Sequence, residues 1–378
     1  MFFIQRSKVG NLCVNKIYNQ VTRGEHTRMI YIVDIEAVET RYTAEWKKYL
    51  PWQIQKHTQS NVTTISGGDT PHATTPGAFL NFGGTNVYKS NQLEQIATLF
   101  CEGKINDCDY FLYTDAWNPT VIQLRYMAEL LGVNISIGGM WHAGSYDPAD
   151  FLGRLIGDKP WVRHAEHSMF ECYDHNFYAT DFHIKLWDKT FNNVQPEKVV
   201  RTGWPMEYFD AELEAFKGAK KTNTILFPHR IAPEKQPEIF YDLKEALPQY
   251  DFIVCQETQL KKFEYHNLLA ESKLVFSANL QETLGISGYE ALILDTMVMV
   301  PDRLSYQEMF LDTFKYPSVW TEDMKQYQQN KQKVMDKVVD LMENYSKYIT
   351  EIKRQKKKLQ TEFFHGKNLY ETIDESII

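Results

Sequence analysis

One stretch constrains the fold of this chain more than any other: LVFSANLQETLGISGYEALILDTMVMVP, from Leu274 to Pro301. It opens with a short apolar run at Leu274–Phe276, passes through a polar turn, and becomes helix-compatible from about Ile286. A second apolar run follows at Met297–Val300. This order predicts strand, loop, helix, strand. Glu282 falls in the loop and Glu290 in the first turns of the helix, so two carboxylates flank one helix N-terminus. Such a terminus offers free N–H groups and a positive dipole end to phosphate oxygens, while carboxylates accept hydrogen bonds from sugar hydroxyls. Gly285 and Gly288 would let a ligand approach the backbone. The same pattern also fits an ordinary surface helix with a glutamate in its first turn.

A second signal lies upstream, in ILFPHRIAPEKQPEIF. An apolar strand, Ile225–Phe227, runs into a loop carrying Arg230 and Lys235, and a helix is expected from about Gln236. Two cations five residues apart behind a strand can meet one diphosphate. Together the two stretches resemble the nucleotide-binding half of retaining GT-B glycosyltransferases. There an Arg and a Lys precede a Glu, seven residues and a second Glu.

The resemblance implies an α/β protein with two Rossmann-like, doubly wound domains facing a cleft. It implies transfer of a hexosyl or pentosyl group from a nucleoside diphosphate sugar, UDP-sugar favoured, with retained configuration and no required metal or other cofactor. Arg230 and Lys235 would then stabilise the leaving diphosphate, Glu282 would orient the sugar and Glu290 the ribose, with Thr283, Leu284 and Gly285 beside the donor. This chain departs from the family in having Thr283-Leu284 where a Phe usually precedes the Gly, and Cys255-Gln256 where a glycine-rich turn is common.

The N-terminal half supports the doubly wound reading by its order of elements. Met29–Ile35 is expected as a strand, followed by a helix carrying Trp46, Leu50 and Ile54, which Pro51 should break or kink. Later strands end at Asp115 and just before His142, with a helix between them closed by Gly132. The glycine pair Gly83-Gly84 precedes another helix. Arg41, Tyr42 and Thr43 lie near a strand end and are candidate acceptor contacts or surface caps. By the resemblance, His142 is the histidine that contacts the sugar, with a structural histidine as the alternative. Asp107-Cys108-Asp109 has the form of a metal-binding triplet but precedes a strand instead of ending one, so it reads as loop polarity. His164, His167, His175 and His183 match no metal-ligand spacing.

VVRTGWPMEYFD, with Gly203, Pro205 and Phe209, resembles the interdomain connection of the family. It divides the chain into residues 1–204 and 205–344, and by the same resemblance 345–378 packs back on the first domain. A long helical segment from Glu322 places Val334, Val338, Leu341, Tyr345, Ile349 and Ile352 on one face. The basic run Lys353–Lys358 reads as a solvated face.

Five cysteines without a CxxC pair argue against a disulfide framework or a zinc site. The opening residues lack a signal-peptide pattern and no stretch is long and apolar enough for a membrane span, so a cytoplasmic protein without stable membrane association is expected. For the acceptor, RYTAEW looks like phage-encoded glycosyltransferases, some of which modify 5-hydroxymethylcytosine in DNA; the location would then be the host cytoplasm. The formal net charge of −8 restricts a DNA duplex to a local basic surface, and Arg41, Arg125 and Arg163 are candidates by charge alone. A glycan, lipid or small-metabolite acceptor, and a sugar-nucleotide-binding protein without catalysis, are the rival readings.

Overall fold

The computed structural model describes residues 28–38, 42–69, 81–192 and 195–376. The first sheet contains β1 (Met29–Val33), β2 (Asn61–Ile65), β3 (Tyr110–Tyr113), β4 (Ser136–Trp141), β5 (His175–Tyr178) and β6 (Val199–Arg201). All are parallel, in the order β2-β1-β3-β4-β5-β6, with Ile30 paired to Val62 on one side and Tyr110 on the other. The second sheet contains β7 (Thr224–Phe227), β8 (Asp251–Val254), β9 (Leu274–Phe276), β10 (Met297–Pro301) and β11 (Lys315–Tyr316), in the order β11-β10-β9-β7-β8. Strands such as YFLY, LVF and MVMVP are apolar throughout because helices cover both faces of a parallel sheet.

Both sheets reverse their winding direction beside their first strand, at β1/β3 and at β7/β9. In open α/β sheets the ligand crevice forms outside the carboxyl ends of strands at such a point. Here the carboxyl ends of the two sheets face one another. Thr283 of the second unit donates to the His142 carbonyl at 2.9 Å, and Thr180 donates to the Thr283 carbonyl at 3.1 Å.

Helix α1 (Tyr42–Thr58) buries Trp46, Leu50 and Ile54 on one face, as their spacing predicts. Pro51, expected to break or kink it, does not break it. The helix runs through because these three residues anchor both of its halves in the core, and proline costs only one helical hydrogen bond at its own position. Helix α2 (Phe82–Cys101) starts at Asn81, which accepts from the Gly84 amide at 2.7 Å, so Gly83-Gly84 form its first turn. Helices α3 (Thr120–Leu131), α4 (Pro160–Cys172) and α5 (Asp181–Phe191) complete the first unit, and α6 (Pro237–Ala246), α7 (Lys262–Glu271) and α8 (Ile286–Ile293) flank the second sheet.

The C-terminal region divides in two, where a single return of 345–378 to the first domain was expected. The long helical segment breaks at Asn344 into α9 (Met324–Glu343) and α10 (Ile349–Glu362), and α10 packs on α8 of the second unit. Its apolar positions decide this, since Ile352 and Leu359 are fully buried there. Helix α11 (Lys367–Glu375) packs on α1 and β6, and Arg201 of β6 donates to the carbonyl of Glu362 at the end of α10. The crossing passes Gly203, where a Cβ would stand 2.4 Å from the His365 carbonyl oxygen, so only glycine admits the returning chain. Trp204 N–H donates to the Phe363 carbonyl at 2.8 Å, and Phe364 stacks on Tyr289 with centroids 4.0 Å apart. The run Lys353–Lys358 is only partly solvated: Lys356 pairs with Asp295 at 3.6 Å and Lys358 donates to the Glu308 carbonyl.

Candidate active site between the two sheets

A cavity of about 460 Å³ opens where α1 of the first unit meets the carboxyl ends of β7 and β8 and the N-terminus of α8. His229, Arg230, Gln256, Tyr265, His266 and Glu290 line it from the second unit, with Ile286 and Ser287 of the first α8 turn; Tyr42 and Glu45 line it from α1. A volume of this size suits a small-molecule ligand.

The loop before α8 explains much of the geometry. Gly285 adopts φ +68° and ψ +47°, a left-handed conformation that turns the chain sharply into the helix. Gly288 serves a different purpose from the one expected: a Cβ there would meet Phe310 Cζ at 3.0 Å, so it admits close packing within the second unit instead of a ligand.

Glu282 sits just before this turn. Its Oε1 accepts from the Leu284 amide at 3.4 Å, and Oε2 lies 3.6 Å from Lys235 Nζ. Burial pushes this carboxyl up, but Lys235, the Gly285 and Leu284 amides and His229 outweigh it, so the group lies below its ordinary range. Lys235 is itself buried and donates to the Gln281 carbonyl at 2.6 Å. Arg230 donates to Glu234 Oε1 at 2.9 Å. Glu290, in the second turn of α8, accepts from Tyr265 Oη at 3.3 Å and lies 3.8 Å from His266 Nε2. Arg230, Glu290 and the start of α8 thus share the cavity wall, while Lys235 and Glu282 pair next to His229 and do not themselves line it.

Among the described residues, three buried polar atoms on the cavity wall have no hydrogen-bonding protein partner: Glu45 Oε2, His229 Nε2 and His266 Nε2. Buried polar atoms of this kind carry a desolvation cost that a polar ligand relieves. Burial lowers the His229 imidazole to about 3, with Lys235 adding to the effect. Lys262 forms an ion pair with Glu45 across the mouth of the cavity.

His142 stands at the carboxyl end of β4, facing the Glu282 loop. Its Nε2 lies 2.6 Å from the Thr114 carbonyl, which only accepts, so Nε2 carries the proton and Nδ1 accepts from Tyr42 Oη at 2.7 Å. The ring packs among Tyr42, Trp46 and Trp204. Through the backbone of residue 142 and the hydroxyl of Thr283, the Glu282 loop is tied to the first sheet.

The remaining sequence candidates lie elsewhere. Arg125 donates to the Cys172 carbonyl and pairs with Asp174 at 2.7 Å, and Arg163 pairs with Asp158 at 2.6 Å and Glu166 at 3.1 Å. Neither lines the cavity. Arg41 lies outside the described residues. Asp109 spends its carboxylate on the amides of Met29 and Asn106, and Asp107 accepts from Asn134, all at the amino edge of the first sheet and away from the cleft.

Several cavity residues escaped the sequence reading. Tyr265 and His266 sit in α7, and no local motif marks them. Glu45 follows Tyr42 by three residues, the spacing that puts both on one helical face, and that signal was available.

Solved structures with this architecture cover nearly the whole chain. The pneumococcal O-GlcNAc transferase GtfA, in complex with UDP and GlcNAc, superposes with a TM-score of 0.57 at 10% identity, covering 93% of this chain and 99% of that one. The fold is GT-B. Anabaena HepE in complex with UDP-glucose gives 0.55 at 10% identity, covering 93% and 98%. A UDP-forming α,α-trehalose-phosphate synthase from Burkholderia xenovorans gives 0.57 at 11% identity, with the same coverage. No family model matches the sequence, and no curated protein matches it.

Proposed function

We propose that this GT-B protein is a glycosyltransferase that moves a hexosyl or pentosyl group from a nucleoside diphosphate sugar to an acceptor hydroxyl. UDP-sugar is the favoured donor, anomeric configuration is retained, and no metal is required. The observation that carries this reading is the meeting of Arg230, Glu290 and the α8 N-terminus on the wall of one cavity, with the pair Lys235–Glu282 next to His229 of the same wall. Three neighbours of the same fold, all described with UDP or as UDP-forming, support the choice of nucleotide.

In the transfer, the bond between the anomeric carbon and the diphosphate oxygen breaks, and the leaving group takes the electron pair. The acceptor oxygen bonds to that carbon and gives up its proton to a departing phosphate oxygen. Arg230, Lys235 and the first amides of α8 stabilise the charge that develops on the diphosphate, without moving protons themselves. Glu282 accepts hydrogen bonds from the sugar and Glu290 from the ribose.

For the acceptor, 5-hydroxymethylcytosine in phage DNA is one reading, resting on the resemblance of RYTAEW. A second reading, an uncharged glycan or metabolite hydroxyl, is favoured by the charges at the carboxyl edge of the first sheet. Asp34 and Glu36 follow β1, Asp115 follows β3, and Asp147 follows β4; Lys47 pairs with Asp34 at 3.9 Å and Lys89 with Asp115 at 3.2 Å, so this edge offers a polyanion no excess of positive charge.

Release of nucleoside diphosphate from UDP-, GDP- and ADP-sugars, measured with hydroxymethylated DNA, with oligosaccharides and without acceptor, tests these readings together. Stabilisation by UDP and acceptor-dependent release are expected. Absence of stabilisation by every nucleotide sugar overturns the enzyme reading.

A further inference from the structure

One wall of the cavity belongs to the first unit. Glu45 stands there on α1, its side chain 13% exposed. Its Oε1 pairs with Lys262 of α7, while its Oε2 is buried and has no hydrogen-bonding protein partner among the described residues. From the second unit comes His266 of α7, 5% exposed, with its Nε2 buried, likewise without a hydrogen bond, and 3.8 Å from Glu290 Oε1.

Tyr208 connects the two walls. It belongs to the segment that joins the units, and its ring stacks on Tyr49, one helical turn beyond Glu45 on α1, with centroids 4.9 Å apart. The next residue, Phe209, packs edge-on against Tyr289, the neighbour of Glu290 on α8. The Tyr208 hydroxyl is buried without a hydrogen-bonding protein partner among the described residues. Burial pushes its pKa up, and the charges of Glu45 and Glu290 add to the effect, so one hydroxyl lies in the field of a carboxylate from each unit.

The chemistry of these atoms narrows the ligand. Ionised carboxylates only accept hydrogen bonds, so two of them call for a ligand that brings two donors. A cation is a poor match, because Lys262 already balances Glu45 and would repel a second positive charge. What is unmet is hydrogen bonding. Two adjacent neutral hydroxyls supply it: one donates to Glu45 Oε2 and the other to Glu290, and their oxygens remain able to accept from Tyr208 or His266.

Resting on the donor site proposed above, in which Glu290 takes the ribose, we infer that Glu45 is a specificity-determining residue of that site: it takes the second hydroxyl of the ribose diol from the opposite unit. The diol is held from both sides, one hydroxyl to each carboxylate, and a deoxyribonucleotide leaves one carboxylate bare.

The test crosses ligands with variants, read by calorimetric binding of UDP, 2′-deoxy-UDP and 3′-deoxy-UDP to the full chain. The wild type should bind each deoxy form about tenfold more weakly than UDP, the scale of one hydrogen bond to a charged group. Glu45→Ala should lose its preference for one of the two hydroxyls and keep the other, and Glu290→Ala should show the reverse pattern. Lys262→Met breaks the same ion pair but keeps the Glu45 carboxylate, so both preferences should survive in it. If Glu45 only braces the fold, Glu45→Ala weakens all three ligands by one factor or none of them, and the inference falls while the donor reading stands. It falls equally if the wild type is indifferent to either hydroxyl, or if Lys262→Met loses the same preference as Glu45→Ala. Failure of the wild-type chain to bind UDP at all overturns the donor reading and the inference with it.

Discussion

Replacing Lys235 with methionine removes one positive charge from the donor site while keeping a side chain of similar length. In the structure the ammonium donates to the Gln281 carbonyl at 2.6 Å and lies 3.6 Å from Glu282, with the side chain 8% exposed. Loss of one charge-assisted phosphate contact costs about 1.5–3 kcal/mol, a roughly tenfold to 150-fold drop in UDP affinity. The fold also suffers, because the Gln281 carbonyl loses its donor and Glu282 its nearest cation. Glu282 now lies below its ordinary range because Lys235, the Gly285 and Leu284 amides and His229 outweigh burial. A depressed carboxyl stabilises the fold above its unfolded value, roughly 4.3, and that stability is lost as pH falls through the folded value. Without Lys235, burial weighs more and the carboxyl rises, so the stabilising contribution at neutral pH shrinks. The melting-temperature deficit of Lys235→Met should therefore be largest near neutral pH and shrink as the medium approaches about pH 4. Thermal melts at both pH values, with and without UDP, check this. A deficit independent of pH, or a UDP-induced rise in melting temperature equal to that of the wild type, would refute the reasoning.

Three further outcomes are expected. Gly285→Ala forces a side chain into φ +68° with its Cβ 3.0 Å from Tyr306, which should cost about 1–2 kcal/mol and raise the donor KM; denaturant melts and steady-state kinetics measure the two effects. Glu290→Gln should weaken UDP about tenfold by replacing a charged acceptor with a neutral one, while pyrophosphate binding, which needs no ribose contact, stays constant by calorimetry. Chelation should leave turnover unchanged, and Asp109→Asn should cost about 1 kcal/mol of stability through the Met29 and Asn106 amides without loss of activity. Inhibition reversed by magnesium or manganese would count against transfer without metal.

The sequence was most legible where local pattern and burial coincide. Leu274–Phe276, the helix from Ile286 and the strand from Met297 stand where the apolar runs and the polar turn place them, because a parallel strand covered on both faces must be apolar throughout. Arg230 and Glu290 could be placed on the cavity wall because each lies in the segment that follows a strand, while Lys235 and Glu282 pair next to it. Tyr265, His266 and Glu45 reach the cavity only through packing between elements distant in the chain, and no short window records that. Arg125 and Arg163 were singled out by charge alone, which says nothing of partners, and Asp174, Asp158 and Glu166 supply them. The ion pair of Lys262 with Glu45 spans 217 positions of sequence and depends on how the two units face each other.

The double passage of the backbone between the units, once at Gly203 and again at Phe363–Gly366, sets the mechanics of the molecule. A single tether would behave as a swivel, free to turn about any axis. Two tethers pressed together, with Trp204 bonded to Phe363, act as a door hinge: one swing is easy, and twisting or sliding is resisted. The terminal helix α11 extends that hinge into α1, the element that carries Tyr42 and Glu45 to the cavity wall. A swing that opens the cleft would therefore carry Tyr42 and Glu45 with it, so opening the cavity and separating the units are a single movement.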